Sequence, residues 1–272
     1  RVHGEANWVQ RMEKGGSRCN GGKLEGKVAI ITGGASGIGE TTALLFAEHG
    51  ARGVVIADVQ DDMGQKVAEA IGLSRAMYIH CDVTKEEHVT SMVETTVRVY
   101  GGLDIIFCNA GILSRSVQSV IELDLCAYDK LMAINSRGPA TCIKHAAKAM
   151  ISGGGSIICT ASTAAGKGGE RSTDYTMSKC AVIGLMQSAS AQLGKWGIRV
   201  NCVSPGRIAT PLLLGFYQGI GAEEVERAAE SRQYLKGPIK TKHVAEAVLF
   251  LASDDSAFIT GQNLVVDGGF KT

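Results

Sequence analysis

From Lys27 onward, short apolar runs alternate with longer amphipathic stretches. Val28 to Thr32, Val54 to Asp58, Met77 to Cys81, Leu103 to Cys108, Ser156 to Thr160, Ile198 to Val203 and Asn263 to Val266 read as strands. Between them, Gly37 to His49, Asp62 to Ala70, Glu86 to Tyr100, Ala127 to Met150, Asp174 to Leu193 and Lys242 to Ala252 read as helices. The strand runs are continuously apolar rather than alternating. Both of their faces are therefore buried, as in a parallel sheet covered by helices. Strict alternation of strand and helix implies one doubly wound α/β domain, a parallel sheet of about seven strands with helices on both faces. There is no internal repeat and no linker. The stretch from Arg207 to Pro238 is the longest without a strand, and it reads as a partly helical insertion suited to a lid.

Composition narrows the class. Hydrophobic residues make up 45% of the 272, enough for a sizeable core, and the net charge of +1 leaves no basic stripe for nucleic acid. No apolar run approaches the ~20 residues that span a bilayer. Residues 1–22 are polar and patternless and lack the apolar stretch of a signal peptide. They are expected to stand outside the domain at 23–272, disordered or extraneous to the natural protein, with Met12 a candidate start. The default placement is cytoplasmic. The eight cysteines, at 19, 81, 108, 126, 142, 159, 180 and 202, form no CxxC pair and have no histidines at zinc spacing. Several lie inside apolar runs, so they read as small core residues in a reducing compartment, with no metal role.

Doubly wound sheets bind ligands beyond the carboxyl ends of their strands. The segment from Thr32 to Gly39, TGGASGIG, follows the first strand and opens the first helix. Its glycines permit a sharp turn close to a pyrophosphate, and the helix N-terminus offers free N–H groups and a positive dipole end. The spacing is GxxxGxG rather than GxGxxG, and a plain tight turn is the other reading. Asp58 ends the second strand about 20 residues later, where an acid can bond both ribose hydroxyls of an adenosine. A carboxylate there repels a 2′-phosphate, and neither Ala35, Ser36 nor Val59 supplies a cation to hold one. That favours NAD over NADP. Asp82 ends the third strand, and Asn109-Ala110-Gly111 ends the fourth, both on the same rim.

Tyr175 and Lys179 stand at i and i+4 at the start of a helix, so phenol and ammonium share a face. A free phenol, with a pKa of about 10, is a poor base, and a nearby ammonium or a positive nicotinamide favours the phenolate. Tyr175 is thereby a candidate to take a proton from an alcohol as hydride leaves carbon. Ser162, at the end of the fifth strand run, is placed to hold the substrate oxygen. Asn135 lies mid-helix, where asparagine is unfavourable. It has a specific partner, or it marks a bend or a solvated side chain.

Taken in order and at this spacing, these residues resemble the short-chain dehydrogenase/reductase family, from Leu24 to Phe270. The carriers are the Thr32–Gly39 turn, Asp58, Asn109-Ala110-Gly111, Asn135, Ser162, Tyr175 with Lys179, and Pro205-Gly206. The resemblance implies a single-domain Rossmann-type fold and an NAD-dependent alcohol dehydrogenase. It makes Tyr175 the general acid/base, Lys179 the ligand of the nicotinamide ribose and Ser162 the holder of the substrate oxygen. Asn135 would hold a water that links Lys179 to solvent. Gly33, Ser36, Gly37, Ile38 and Gly39 would carry the pyrophosphate, and Asp58 with Val59 the ribose. Cys81, Asp82 and Val83 would flank the adenine. Asn109, Ala110, Gly111, Pro205, Gly206, Ile208 and Thr210 would complete the cofactor cleft, the last two at the carboxamide. Arg207 departs from the apolar or aromatic residue usual after this Pro-Gly.

The strand at 54–60 and the closing 261–270 segment resemble plant members of the family, the secoisolariciresinol dehydrogenase-like and terpenoid (borneol- or iridoid-type) alcohol dehydrogenases. That implies a secondary alcohol or lactol, or the matching ketone, on an apolar skeleton. Leu212, Leu213, Leu214, Phe216 and Tyr217 would give the lid an apolar face, or simply pack. A homotetramer is carried over with the resemblance. So is an alternative reading, an NAD-binding cyclase or isomerase of the same fold with no net redox change.

Overall fold

The computed structural model describes residues 22–217 and 219–270. Most of the expectation placed on residues 1–22, and the core role read for Cys19, lie outside them.

In chain order the elements are β1 (Val28–Thr32), α1 (Gly37–Glu48), β2 (Gly53–Asp58), α2 (Asp61–Ile71), β3 (Ala76–His80), α3 (Glu86–Tyr100), β4 (Ile105–Cys108) and α4 (Leu125–Met132). A π-helical turn, Ala133–Arg137, joins α4 to α5 (Gly138–Met150). There follow β5 (Gly155–Thr160), α6 (Ala164–Lys167), α7 (Thr173–Leu193), β6 (Ile198–Pro205), α8 (Pro211–Phe216), α9 (Ala222–Glu230), α10 (Thr241–Ala252) and β7 (Asn263–Val266). All seven strands pair in parallel in the order β3-β2-β1-β4-β5-β6-β7.

Successive strand residues point to opposite faces, so a parallel sheet with two covered faces needs both sets apolar. In β4, Ile105 and Phe107 pack into one core with Ile31, Ile56 and the inner faces of α1 and α10. Ile106 and Cys108 enter the other, with Ile30, Val55, Ile157 and the inner faces of α3, α5 and α7. The unbroken apolar runs are this double burial written in one dimension.

Two expectations need correction. Asp82 and Ser162 do not end strands: β3 stops at His80 and β5 at Thr160. One further residue of each still bonds its neighbour, Cys81 N to Asp58 O and Ala161 N to Val203 O. The chain then leaves the sheet, which puts both polar side chains in loops at its rim. The single helix expected over 127–150 is also interrupted at the π turn, although the backbone stays right-handed helical through both junctions. Asn135, described below, lies within it. Of the seven described cysteines, five are buried as expected, while Cys126 and Cys180 are exposed; all seven are free thiols.

Candidate active site

Chain order reverses between β1 and β4, so their connections leave in opposite directions and a crevice opens at their carboxyl ends. A cavity of about 1120 Å³ occupies it. That exceeds the ~300–1,000 Å³ usual for one small ligand and leaves room for a dinucleotide and a substrate together.

The glycine turn builds one end. Gly33 has φ +65°, and a Cβ there would lie 2.8 Å from the Ala110 Cα. A Cβ at Gly39 would lie 2.1 Å from the Gly33 carbonyl oxygen. The turn is thus pressed against the loop after β4, with no space for side chains. Ser36 caps α1 in an extended conformation and its side chain makes no capping bond. The first N–H groups of α1 are therefore left for a ligand, and an anion suits them. Gly33, Ser36, Gly37 and Ile38 line the cavity. Gly39 does not; it lies beneath the wall, and its part in the turn is to allow this close packing.

Asp58 lies at the cavity floor, buried. Its Oδ2 accepts from Ala35 N at 3.0 Å, and its Oδ1 accepts from Val59 N at 2.8 Å and Gln60 N at 3.1 Å. The carboxylate therefore ties the glycine turn to the end of β2 while facing the cavity with Val59. Cys81, Asp82 and Val83 line the next stretch of wall. Burial pushes the Asp82 carboxyl up, but the Thr84 amide and hydroxyl, 2.9 and 2.8 Å from Oδ1, outweigh it and hold the group below the usual range.

Asn109, Ala110 and Gly111 continue the wall past β4. Two threonines, Thr32 of the glycine turn and Thr160, which the sequence reading gave no site role, hold them in place. Thr32 Oγ1 accepts from Asn109 N at 3.0 Å and Ala110 N at 3.2 Å. Thr160 Oγ1 donates to Asn109 Oδ1 at 3.0 Å, while Asn109 Nδ2 donates to Gly33 O at 3.1 Å. One asparagine thus fastens the ends of β1, β4 and β5. The only signal in the sequence was a small polar residue closing an apolar strand run.

At the other end, Ser162, Tyr175 and Lys179 face the cavity together. Tyr175 and Lys179 project from the first two turns of α7, with Nζ 5.5 Å from the phenol ring centre. Lys179 Nζ donates to the Thr160 carbonyl at 2.8 Å. Burial dominates the electrostatics of both groups. Burial pushes the Tyr175 phenol up to about 12, and a hydrogen bond from Ser162 only partly opposes it. Burial pushes the Lys179 ammonium down to about 8. In both groups desolvation is the largest cause.

Asn135 does not line the cavity. It is fully buried, and its Oδ1 accepts from Ile112 N at 2.8 Å while its Nδ2 donates to Ile112 O at 2.9 Å. This two-way bond to a loop backbone is the specific partner expected of a mid-helix asparagine, and it sits within the π turn. Gly111 lies over it: a Cβ there would come 3.3 Å from Asn135 Oδ1 and 3.7 Å from Lys179 Nζ.

Pro205, Gly206, Ile208 and Thr210 line the cavity after β6, and so does Arg207, which is exposed. Leu212, Leu213, Phe216 and Tyr217 of the insertion also line it; Leu214 does not. Ile112, Leu113 and Phe270, not singled out from the sequence, add to the apolar wall beside Ser162 and Tyr175.

Comparison with known proteins identifies the family and fold. A family profile described as enoyl-(acyl carrier protein) reductase matches residues 33–271. The (-)-isopiperitenol/(-)-carveol dehydrogenase of Mentha piperita, named as mitochondrial, is 55% identical over 92% of this chain and 95% of its own. A (+)-cis,trans-nepetalactol synthase of Nepeta racemosa is also 55% identical, over 90% of this chain and 94% of its own. Among solved structures, a short-chain type dehydrogenase/reductase from Mycobacterium marinum superimposes with a TM-score of 0.82 at 35% identity, covering 90% of this chain and 95% of that one.

Proposed function

The chain belongs to the short-chain dehydrogenase/reductase family, and on that premise we propose that it oxidises a secondary alcohol or lactol on an apolar, terpenoid skeleton, or reduces the matching ketone, with NAD as hydride partner. One observation carries the reading: Ser162, Tyr175 and Lys179 open onto the same cavity as the glycine turn and Asp58.

The residues fit a nicotinamide dinucleotide. The uncapped N-terminus of α1 suits a pyrophosphate. Asp58 offers lone pairs for a ribose diol, and no lysine or arginine stands in the wall formed after β1, β2 and β3 to hold a 2′-phosphate. When bound, the nicotinamide supplies a two-electron hydride acceptor. Ser162 then holds the carbinol oxygen, and Tyr175 Oη takes its proton as hydride leaves the carbon. A phenol near 12 must be brought down to act as that base, and positive charge beside it favours the phenolate. Lys179, near 8, is close enough to neutrality to exchange protons readily at physiological pH. Asn135, which holds Ile112 beneath Gly111, would steady this part of the wall beside Lys179. Ile112, Leu113, Leu213 and Phe216 would cover an apolar skeleton, with the segment at 207–238 as a lid.

The second reading keeps the fold and changes the chemistry: binding NAD and guiding a cyclisation or isomerisation with no net redox change. The equal identity to a carveol dehydrogenase and to a nepetalactol synthase favours keeping it. Incubation with NAD and a panel of monoterpenols, iridoid lactols, lignans and steroids separates the two. Near-ultraviolet absorbance of the reduced cofactor should rise in step with product. Product formed without it would overturn the dehydrogenase reading.

The assembly we propose is a homotetramer, supported by exposed Phe258, Leu264 and Val265 around β7; a monomeric mass in solution would contradict it. The compartment we propose is the cytosol, supported by the seven free thiols among the described residues. A full-length fluorescent fusion found in mitochondria would refute that placement.

Lys179 also gives a stability prediction. Its folded value of about 8 lies below its ordinary 10.5, so between those values the unfolded chain binds more protons and stability rises with pH. Below about pH 8 the buried ammonium costs the fold about 1–3 kcal/mol. Lys179→Met should therefore raise Tm at pH 7 by a few degrees, roughly 2–4 °C per kcal/mol, while abolishing most turnover. The gain should shrink as pH passes 8 toward 10. Thermal unfolding at several pH values checks this; a gain that does not depend on pH would contradict it.

A further inference from the structure

We propose that Asp174, with Ser114, is a positioning pair that fixes the substrate-facing wall relative to the Tyr175 phenol. The inference rests on the dehydrogenase reading above and adds residues to it. Asp174 occupies the first turn of α7, where a carboxylate is ordinarily a solvated complement to the helix dipole. Here it is only 1% exposed. Burying a carboxylate is costly unless its oxygens are well bonded, and these are. Its Oδ1 accepts from the Tyr175 amide at 2.7 Å, and its Oδ2 accepts from the Ser114 hydroxyl, sixty positions earlier in the chain.

The Ser114 end belongs to the loop after β4, which carries Ile112 and Leu113 into the cavity wall. Beyond Gly111, three contacts fasten that loop. Asn135 holds Ile112, Asp174 holds Ser114, and Gln118 forms a parallel bridge with Ser172. The bridge bonds run from Gln118 N to Arg171 O at 3.1 Å and from Thr173 N to Gln118 O at 2.9 Å. Asp174 is the member that joins the loop directly to the amide of the proton-transferring residue. Loosening it should let the apolar wall and the phenol shift against each other, and displacements of about 1 Å can cost ~10²-fold in rate. The pair touches neither the glycine turn nor Asp58, so dinucleotide affinity should be indifferent to it.

The test compares Asp174→Ala, Asp174→Asn, Ser114→Ala and the double alanine variant with the wild type, using an alcohol that the wild type oxidises. Asp174→Ala and Ser114→Ala should each lose about 10–100-fold in kcat, with the dissociation constant for NAD, read by quenching of protein fluorescence, within about twofold of wild type. Asp174→Asn keeps an acceptor for the Tyr175 amide and gains a donor for Ser114, so it should recover to within several-fold of wild type. The double variant should be no slower than Asp174→Ala alone, because the two residues act through one contact. If Asp174→Ala does not fold, Ser114→Ala decides alone. Wild-type kcat in Ser114→Ala, full additivity in the double variant, or a loss of NAD affinity in step with kcat would each overturn the inference. Those outcomes concern the pair only. A wild type that binds NAD and oxidises none of the alcohols would instead defeat the dehydrogenase reading and this inference with it.

Discussion

Tyr175→Phe is expected to lower kcat by about 10²–10⁴-fold while leaving the dissociation constant for NAD within a few-fold of wild type. The ring contributes packing at the cavity wall and the oxygen contributes chemistry, and this substitution removes only the oxygen. A group that carries the proton in the transition state affects kcat and kcat/KM together, whereas a group that only binds substrate raises KM. Because burial holds the phenol near 12, the loss should be measured across pH. Residual activity in the phenylalanine variant should depend on hydroxide supplied by solvent and climb with pH further than the wild-type profile does. Rates close to wild type at neutral pH would remove Tyr175 from the mechanism.

Asp58→Ala is expected to weaken NAD about 10–100-fold, because hydrogen bonds to a charged group contribute about 1.5–3 kcal/mol. The larger change should be in selectivity. A carboxylate at this point repels the 2′-phosphate of NADP, and the neighbouring wall residues Val59 and Gln60 are neutral. Removing the charge lifts that repulsion, so the ratio of kcat/KM for NAD over NADP should fall toward unity. Asp58 also accepts from the Ala35 amide and so steadies the glycine turn. Asp58→Asn removes the charge but keeps one acceptor oxygen, enough for the Ala35 amide and not for the Val59 and Gln60 amides as well, so it should keep more of the turn than Asp58→Ala while losing the same repulsion. An unchanged cofactor ratio in both variants would mean that another group reads the ribose.

The fold was legible because burial on both faces leaves an unmistakable trace, continuous runs such as Val28–Thr32 and Gly53–Asp58 placed between amphipathic stretches. Alternation and the rules of connection give a parallel doubly wound sheet, whereas the order of its strands comes from the structure. Strand ends were less legible, since apolar character continues at Cys81 and Ala161 after the ladder has stopped. The main groups of the site could be read as residue types at a spacing. What could not be read depends on contacts distant in sequence. The π turn at Asn135 exists with a bond to Ile112, and Ser114 and Asp174 look like ordinary loop and helix-start residues until the fold brings them together. The Asn109 clasp through Thr32 and Thr160 is of the same kind. Gly39 was rightly read as part of the turn, but it lies beneath the cavity wall rather than in it. The spacing of Tyr175 and Lys179 reports their proximity, whereas the burial of both is a property of the fold that spacing does not carry. Burial pushes the phenol up and the ammonium down.

The most direct test follows the hydrogen itself. An alcohol substrate carrying deuterium on its carbinol carbon, incubated with NAD, should yield ketone together with reduced cofactor bearing one deuterium at C4 of the nicotinamide. Product that keeps its deuterium, with the cofactor still oxidised, would contradict hydride transfer and leave the site as a guide for cyclisation or isomerisation.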